Sequence, residues 1–131
     1  MSLSQYNPLQ FDAREFRSRF HLTPGLSSTT LNLQATLIAE EAREVAEAVE
    51  EVQRDLQNRQ AKAHLLKEVG DLVYVCFQLA EAFGWDLTEA CTRIHNSNLS
   101  KLGPDGEPIR REDGKILKGP NYYEPHLTDL V

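Results

Sequence analysis

Four carboxylates stand in two matching pairs: Glu41 lies three residues before Glu44, and Glu68 three before Asp71. Side chains at that spacing project from one side of a helix. If two such helices run antiparallel and side by side, all four acids can converge on one small volume. Carboxylates that close repel one another unless a cation sits between them. All-oxygen donors suit Mg²⁺, with Mn²⁺ as the alternative. The first pair alone says little, because Glu40, Glu41, Glu44, Glu47, Glu50 and Glu51 form a Glu-rich run that a solvated helix face explains equally well. The second pair says more. Glu68 and Asp71 share a side with Val75, Leu79 and Ala82, and carboxylates are rarely buried without a partner. Gly70, between them, costs a helix about 1 kcal/mol relative to Ala, which points to close packing or ligand access.

The elements that must position these acids are helices. Asp12 to Phe20 reads as a short amphipathic helix with Asp12 as N-cap and Phe16 and Phe20 on one side. Residues before it are polar and irregular, and Pro24-Gly25 breaks the loop that follows. A second helix begins near Ser28 to Thr30 and runs towards Arg59. Its seam of Ile38, Ala42, Val45, Val49, Val52 and Leu56 alternates four and three apart, in the manner of a coiled coil. A turn within 53–63 leads to a third helix from about Lys62 to Phe83, apolar nearly all round after Asp71 and so central and buried. Gly84-Trp85-Asp86 ends it, and Asp86 caps a fourth helix from Leu87 to about Leu99. Beyond Gly103 turn residues dominate, with a small hairpin expected around Asp113-Gly114. The fold class is all-α: a four-helix-bundle-like core over about 12–100 and an irregular tail over about 101–131.

Other chemistries find little support. The 131 residues suit a single domain, and a net charge of -6 with pI near 5.2 provides no basic footprint for nucleic acid. The longest apolar run, Leu72 to Phe77, is too short for a bilayer, and the first residues lack the pattern of a signal peptide. Cys76 and Cys91 fall at apolar helical positions and read as buried free thiols. A soluble cytoplasmic protein fits these features. A di-iron bundle would need Glu-x-x-His pairs, but Ala61 and Thr92 precede His64 and His95 by three. His21 and His126 lie in expected loops and His64 near a turn, where surface or capping roles suffice; His95, beside Asn96, Ser97 and Asn98, could touch substrate. Glycine-rich phosphate loops, zinc spacings and nucleophile elbows are missing from the sequence.

Taken together, Glu41-x-x-Glu44, Glu68-x-x-Asp71, Phe83-Gly-Trp-Asp-Leu, the stretch from His95 to Gly103 and Arg111 to Tyr122 resemble the MazG-like all-α nucleoside triphosphate pyrophosphohydrolases and their phosphoribosyl-ATP pyrophosphohydrolase relatives. The resemblance covers about 30–126, its tail included, and implies one MazG-like domain over 1–131. It also implies Mg²⁺ ligands at Glu41, Glu44, Glu68 and Asp71, and a water-activating or extra-metal acid at Glu40. Asn98 and Lys101 would contact the nucleotide, with Lys118 and Tyr122 as further contacts. The implied reaction splits a (deoxy)nucleoside triphosphate, dUTP or another dNTP, into monophosphate and pyrophosphate, as house-cleaning of the nucleotide pool. The implied assembly is a homodimer or dimer of dimers. Phosphoribosyl-ATP pyrophosphohydrolysis in histidine synthesis is one alternative; a non-enzymatic helical regulatory module that keeps its acids for solubility is another.

Overall fold

A computed structural model describes residues 8–22, 25 and 27–131. Four helices dominate it: α1 Pro8–Arg19, α2 Ser28–Arg54, α3 Arg59–Phe83 and α4 Leu87–Leu99. The all-α expectation holds. A two-stranded ribbon, β1 Ile109–Arg110 with β2 Ile116–Leu117, and a terminal 3-10 turn over Thr128–Leu130 complete the described chain.

Helix ends follow their capping residues. α1 starts at Pro8 rather than Asp12; the fixed φ and missing N–H of proline suit a first helical turn. Asp12 is therefore interior and caps nothing. The irregular stretch expected before it is helical at 8–11, while 1–7 lie outside the described residues, as do Thr23, Pro24 and Leu26 of the expected loop. Ser27 caps α2, its Oγ accepting the Thr30 N–H at 3.0 Å. α2 stops at Arg54, earlier than expected, and α3 begins at Arg59 rather than Lys62. Asn58 decides this, because its side chain accepts the N–H groups of Gln60 and Ala61 at 3.0 and 3.1 Å. Asp86 caps α4 as expected, accepting from Glu89 N–H at 3.0 Å.

The described chain divides into two compact units, residues up to Trp85 and Asp86–Val131. In the first, α2 and α3 pack antiparallel, as the pairing of Glu51 with His64 across them shows. α1 lies antiparallel to α3: Gln10 and Arg14 hold Glu81, and Phe16 meets Tyr74 edge-on with centroids 5.7 Å apart. Among the described residues the buried apolar ones are Ala13, Ala48, Ala61, Phe77, Ala80 and Ala82; five alanines among these six let helix backbones approach closely. The stretch of α3 after Asp71, expected to be buried, is buried or half-buried except at Val73. Leu66, before Asp71, is 73% exposed, and Val69 and Val73 are exposed with it on one open side of α3.

In the second unit the expected hairpin is present, with Ile109 opposite Leu117 and Gly114 at φ 87° in its turn. Gly119 donates its N–H to the Lys101 carbonyl at 2.8 Å, and buried Ser97 donates its Oγ–H to the Tyr123 carbonyl at 2.7 Å. Arg93 grips Asp129 through two bonds of 2.6 and 3.0 Å. Neither cysteine forms a disulfide; Cys76 is half-buried, and Cys91 is exposed, not buried, since it sits on an open side of α4.

Candidate metal centre

Because α2 and α3 are antiparallel, the first acidic pair meets Glu68 of the second. Glu41, Glu44 and Glu68 each bring a carboxylate oxygen within 4.8 Å of the others. Glu68 is 4% exposed and the other two are half-buried. The Oε2 atoms of Glu41 and Glu68 are buried without a hydrogen-bond partner, and so is Gln34 Oε1, two turns ahead of Glu41 on α2. Buried acceptors left unsatisfied are costly. A hard cation would satisfy the two carboxylate oxygens, and the all-oxygen donor set suits a divalent ion of the Mg²⁺ type. These residues fit such an ion.

The other oxygen of Glu68 is already held. Its Oε1 lies 3.1 Å from His64 Nε2 and 3.4 Å from Lys67 Nζ, and His64 Nδ1 in turn lies 3.3 Å from Glu51 Oε2. This leaves Oε2 as the bare oxygen of Glu68, an arrangement of the kind that outer partners impose on metal-binding carboxylates. The Glu44 carboxyl is pushed above the ordinary glutamate range by its hydrogen bonds with Glu68 and Glu41 and by the charge of Glu41. Burial works to raise Glu68, but the hydrogen bond from Glu44 and the Lys67 ammonium outweigh it and the net direction is down.

Asp71, expected as the fourth ligand, is not among the three clustered acids; its Oδ2 holds Lys67 Nζ at 2.8 Å instead. Glu40 is exposed beside Glu41. Asn98, Lys101, Lys118 and Tyr122 all belong to the Asp86–Val131 unit. There the Gly119–Lys101 bond draws the chain beside Lys118 towards that of Lys101, and Lys118 Nζ sits 4.6 Å over the Tyr122 ring. A Cβ on Gly70 would meet nothing within 4 Å, so packing within the chain does not require that glycine.

His64 and Lys67 are the participants that sequence reasoning misses. Their signal is the four-residue spacing to Glu68 and Asp71. A further feature appears only in three dimensions: Asp12, Glu15, Phe16, Arg19, Phe20 and Tyr74 line an open cleft of about 370 Å³. Phe16 and Phe20 stack there with centroids 4.4 Å apart, and Tyr74 is three residues beyond Asp71 on α3.

None of the described helices is long and apolar enough to cross a membrane. No curated protein matches the chain. The sequence does match the phosphoribosyl-ATP pyrophosphohydrolase family over residues 13–98, a stretch holding Glu40, Glu41, Glu44, Glu68, Asp71 and Asn98. The family in general depends on a divalent metal, in keeping with the acidic cluster. The chain is accordingly a pyrophosphohydrolase, an enzyme acting on acid anhydrides, and belongs to the phosphoribosyl-ATP pyrophosphohydrolase family within the MazG-like all-α superfamily.

Proposed function

We propose that this enzyme, as one MazG-like domain over 1–131, cleaves a (deoxy)nucleoside triphosphate between its α and β phosphates. dUTP or another dNTP is the substrate, monophosphate and pyrophosphate are the products, and the role is house-cleaning of the cytoplasmic nucleotide pool. The carrying observation is the buried Glu68 carboxylate, whose Oε2 lacks a partner beside Glu41 and Glu44. Glu41, Glu44, Glu68 and a freed Asp71 would hold Mg²⁺, or Mn²⁺ in its place. The ion when bound would neutralise phosphate charge and make water a better nucleophile. Glu40 takes the proton of the attacking water. Asn98, Lys101, Lys118 and Tyr122 contact the nucleotide, the lysines offsetting its charge.

The cleft beside Tyr74 supports a seat for the base: stacked Phe16 and Phe20 offer a flat apolar platform, and Asp12, Glu15 and Arg19 offer polar contacts at its rim. The exposed apolar residues Leu31, Val49, Leu66, Val69 and Val73 on α2 and α3 support pairing with a second copy, as a homodimer or dimer of dimers. A pyrophosphate-release screen over (d)NTPs with Mg²⁺ tests the reading. Glu41→Gln and Asp71→Asn should abolish turnover while far-UV circular dichroism stays helical; normal activity in both refutes the site. The matched family itself favours a second substrate, phosphoribosyl-ATP. Assaying that compound beside the dNTP panel separates the two, since the same acids serve either one.

A further inference from the structure

We infer that Lys67 is a resident counter-cation that keeps Asp71 out of the carboxylate cluster and competes with the incoming divalent ion. The inference rests on the metal-dependent reading above. Three observations carry it. Lys67 Nζ reaches both acids of the α3 pair, Asp71 Oδ2 at 2.8 Å and Glu68 Oε1 at 3.4 Å. Asp71 is the one expected ligand that does not join Glu41, Glu44 and Glu68. The pair also runs from Lys67 to an acid four residues later, the order that stabilises a helix less, so helix stability alone is a poor reason for it.

With three acids within 4.8 Å of one another and Asp71 one turn beyond Glu68, an ammonium at the edge lowers the repulsion of the metal-free site. The same ammonium must leave Asp71 before a cation can collect all four carboxylates. Once displaced, Lys67 stays tethered next to Glu68 and can meet the charge of a bound polyphosphate. Binding of the ion alone is therefore held weak, and a triphosphate that takes up the released ammonium strengthens it.

Manganese titration calorimetry without nucleotide tests this on the wild-type protein, Lys67→Met and Lys62→Met. The last makes the same charge change on α3 at a position away from Asp71. Lys67→Met should bind Mn²⁺ about three- to fivefold more tightly than wild type, the range set by the strength of an exposed ion pair, and Lys62→Met should bind as wild type. Unchanged or weaker binding by Lys67→Met overturns the inference, as does an equal gain in Lys62→Met, which would mark a diffuse charge effect. In both cases the metal centre itself still stands. Absence of Mn²⁺ binding in the wild-type protein sinks the centre and the inference together.

Discussion

Glu44 is a group through which pH should act on this site. Its carboxyl is raised above the usual range by the hydrogen bonds to Glu68 and Glu41, and it must lose its proton to become a metal ligand. Mn²⁺ affinity should therefore fall on acidification, starting at a higher pH than for an ordinary glutamate. In the metal-free protein the sign reverses. A raised folded-state value adds stability that is complete below the unfolded value and lost as pH rises through the folded one. Titrations and thermal melts from about pH 4 to about pH 8 read both slopes, and parallel slopes with and without metal would contradict the assignment. His64 belongs to the same scale. Removing it in His64→Ala leaves Glu68 Oε1 to the longer contact with Lys67 and should weaken Mn²⁺ binding about tenfold or more, the usual effect of losing an outer partner. The sequence hides His64 because a helix start expected near Lys62 puts it close to a turn; with α3 beginning at Arg59 it is a helical residue one turn before Glu68.

Among the elements, α3 and the C-terminal segment carry opposite lessons about glycine. Gly70 sits in the middle of α3 with open space where a Cβ would project. Gly70→Ala should therefore raise stability by about 1 kcal/mol, read as a higher Tm. A fall in turnover in the same variant would mark Gly70 as needed for ligand access. Gly119 has no such room, because a Cβ there would lie 2.5 Å from the Leu102 carbonyl oxygen. Gly119→Ala should cost about 1–3 kcal/mol, as overpacking does, and expose the tail to proteolysis. The last turn depends on Asp129, whose carboxyl is held below its ordinary range by hydrogen bonds from Arg93. That contribution is present at neutral pH and disappears as pH falls through the lowered value, so hydrogen exchange in 127–131 should speed up in acid. Loss of protection at mild pH instead would contradict the role of this pair.

At the scale of the whole molecule, the apolar stripes left open on α2 and α3 ask for a partner. Leu66 at 73% exposure, with Val69 and Val73 one and two turns on, lies on the same helix as Glu68 and Asp71 but on another side of it. Leu66→Asp combined with Val69→Asp should convert the assembly to monomer in light-scattering chromatography. Wild type that is already monomeric at micromolar concentration would refute the pairing. For Val73 the expectation of a buried position fails within the single chain: periodicity identifies an apolar side without saying which copy covers it.

Much of this protein is legible in its sequence. Turn and capping residues such as Asp86, Gly84 and Asp113-Gly114 act over one to four positions, so the fourth helix and the hairpin appear where local chemistry puts them. The two acidic pairs are equally plain, since helical spacing alone sets which side chains share a side. What the tertiary structure alone decides is which sides meet. The antiparallel packing of α2 on α3 gathers Glu41, Glu44 and Glu68, strips two of their oxygens of partners, and leaves Asp71 to Lys67. The packing of α1 on α3 likewise sets Phe16 against Tyr74. Distances between residues far apart in the chain are fixed by burial and packing, and a local pattern carries no measure of them.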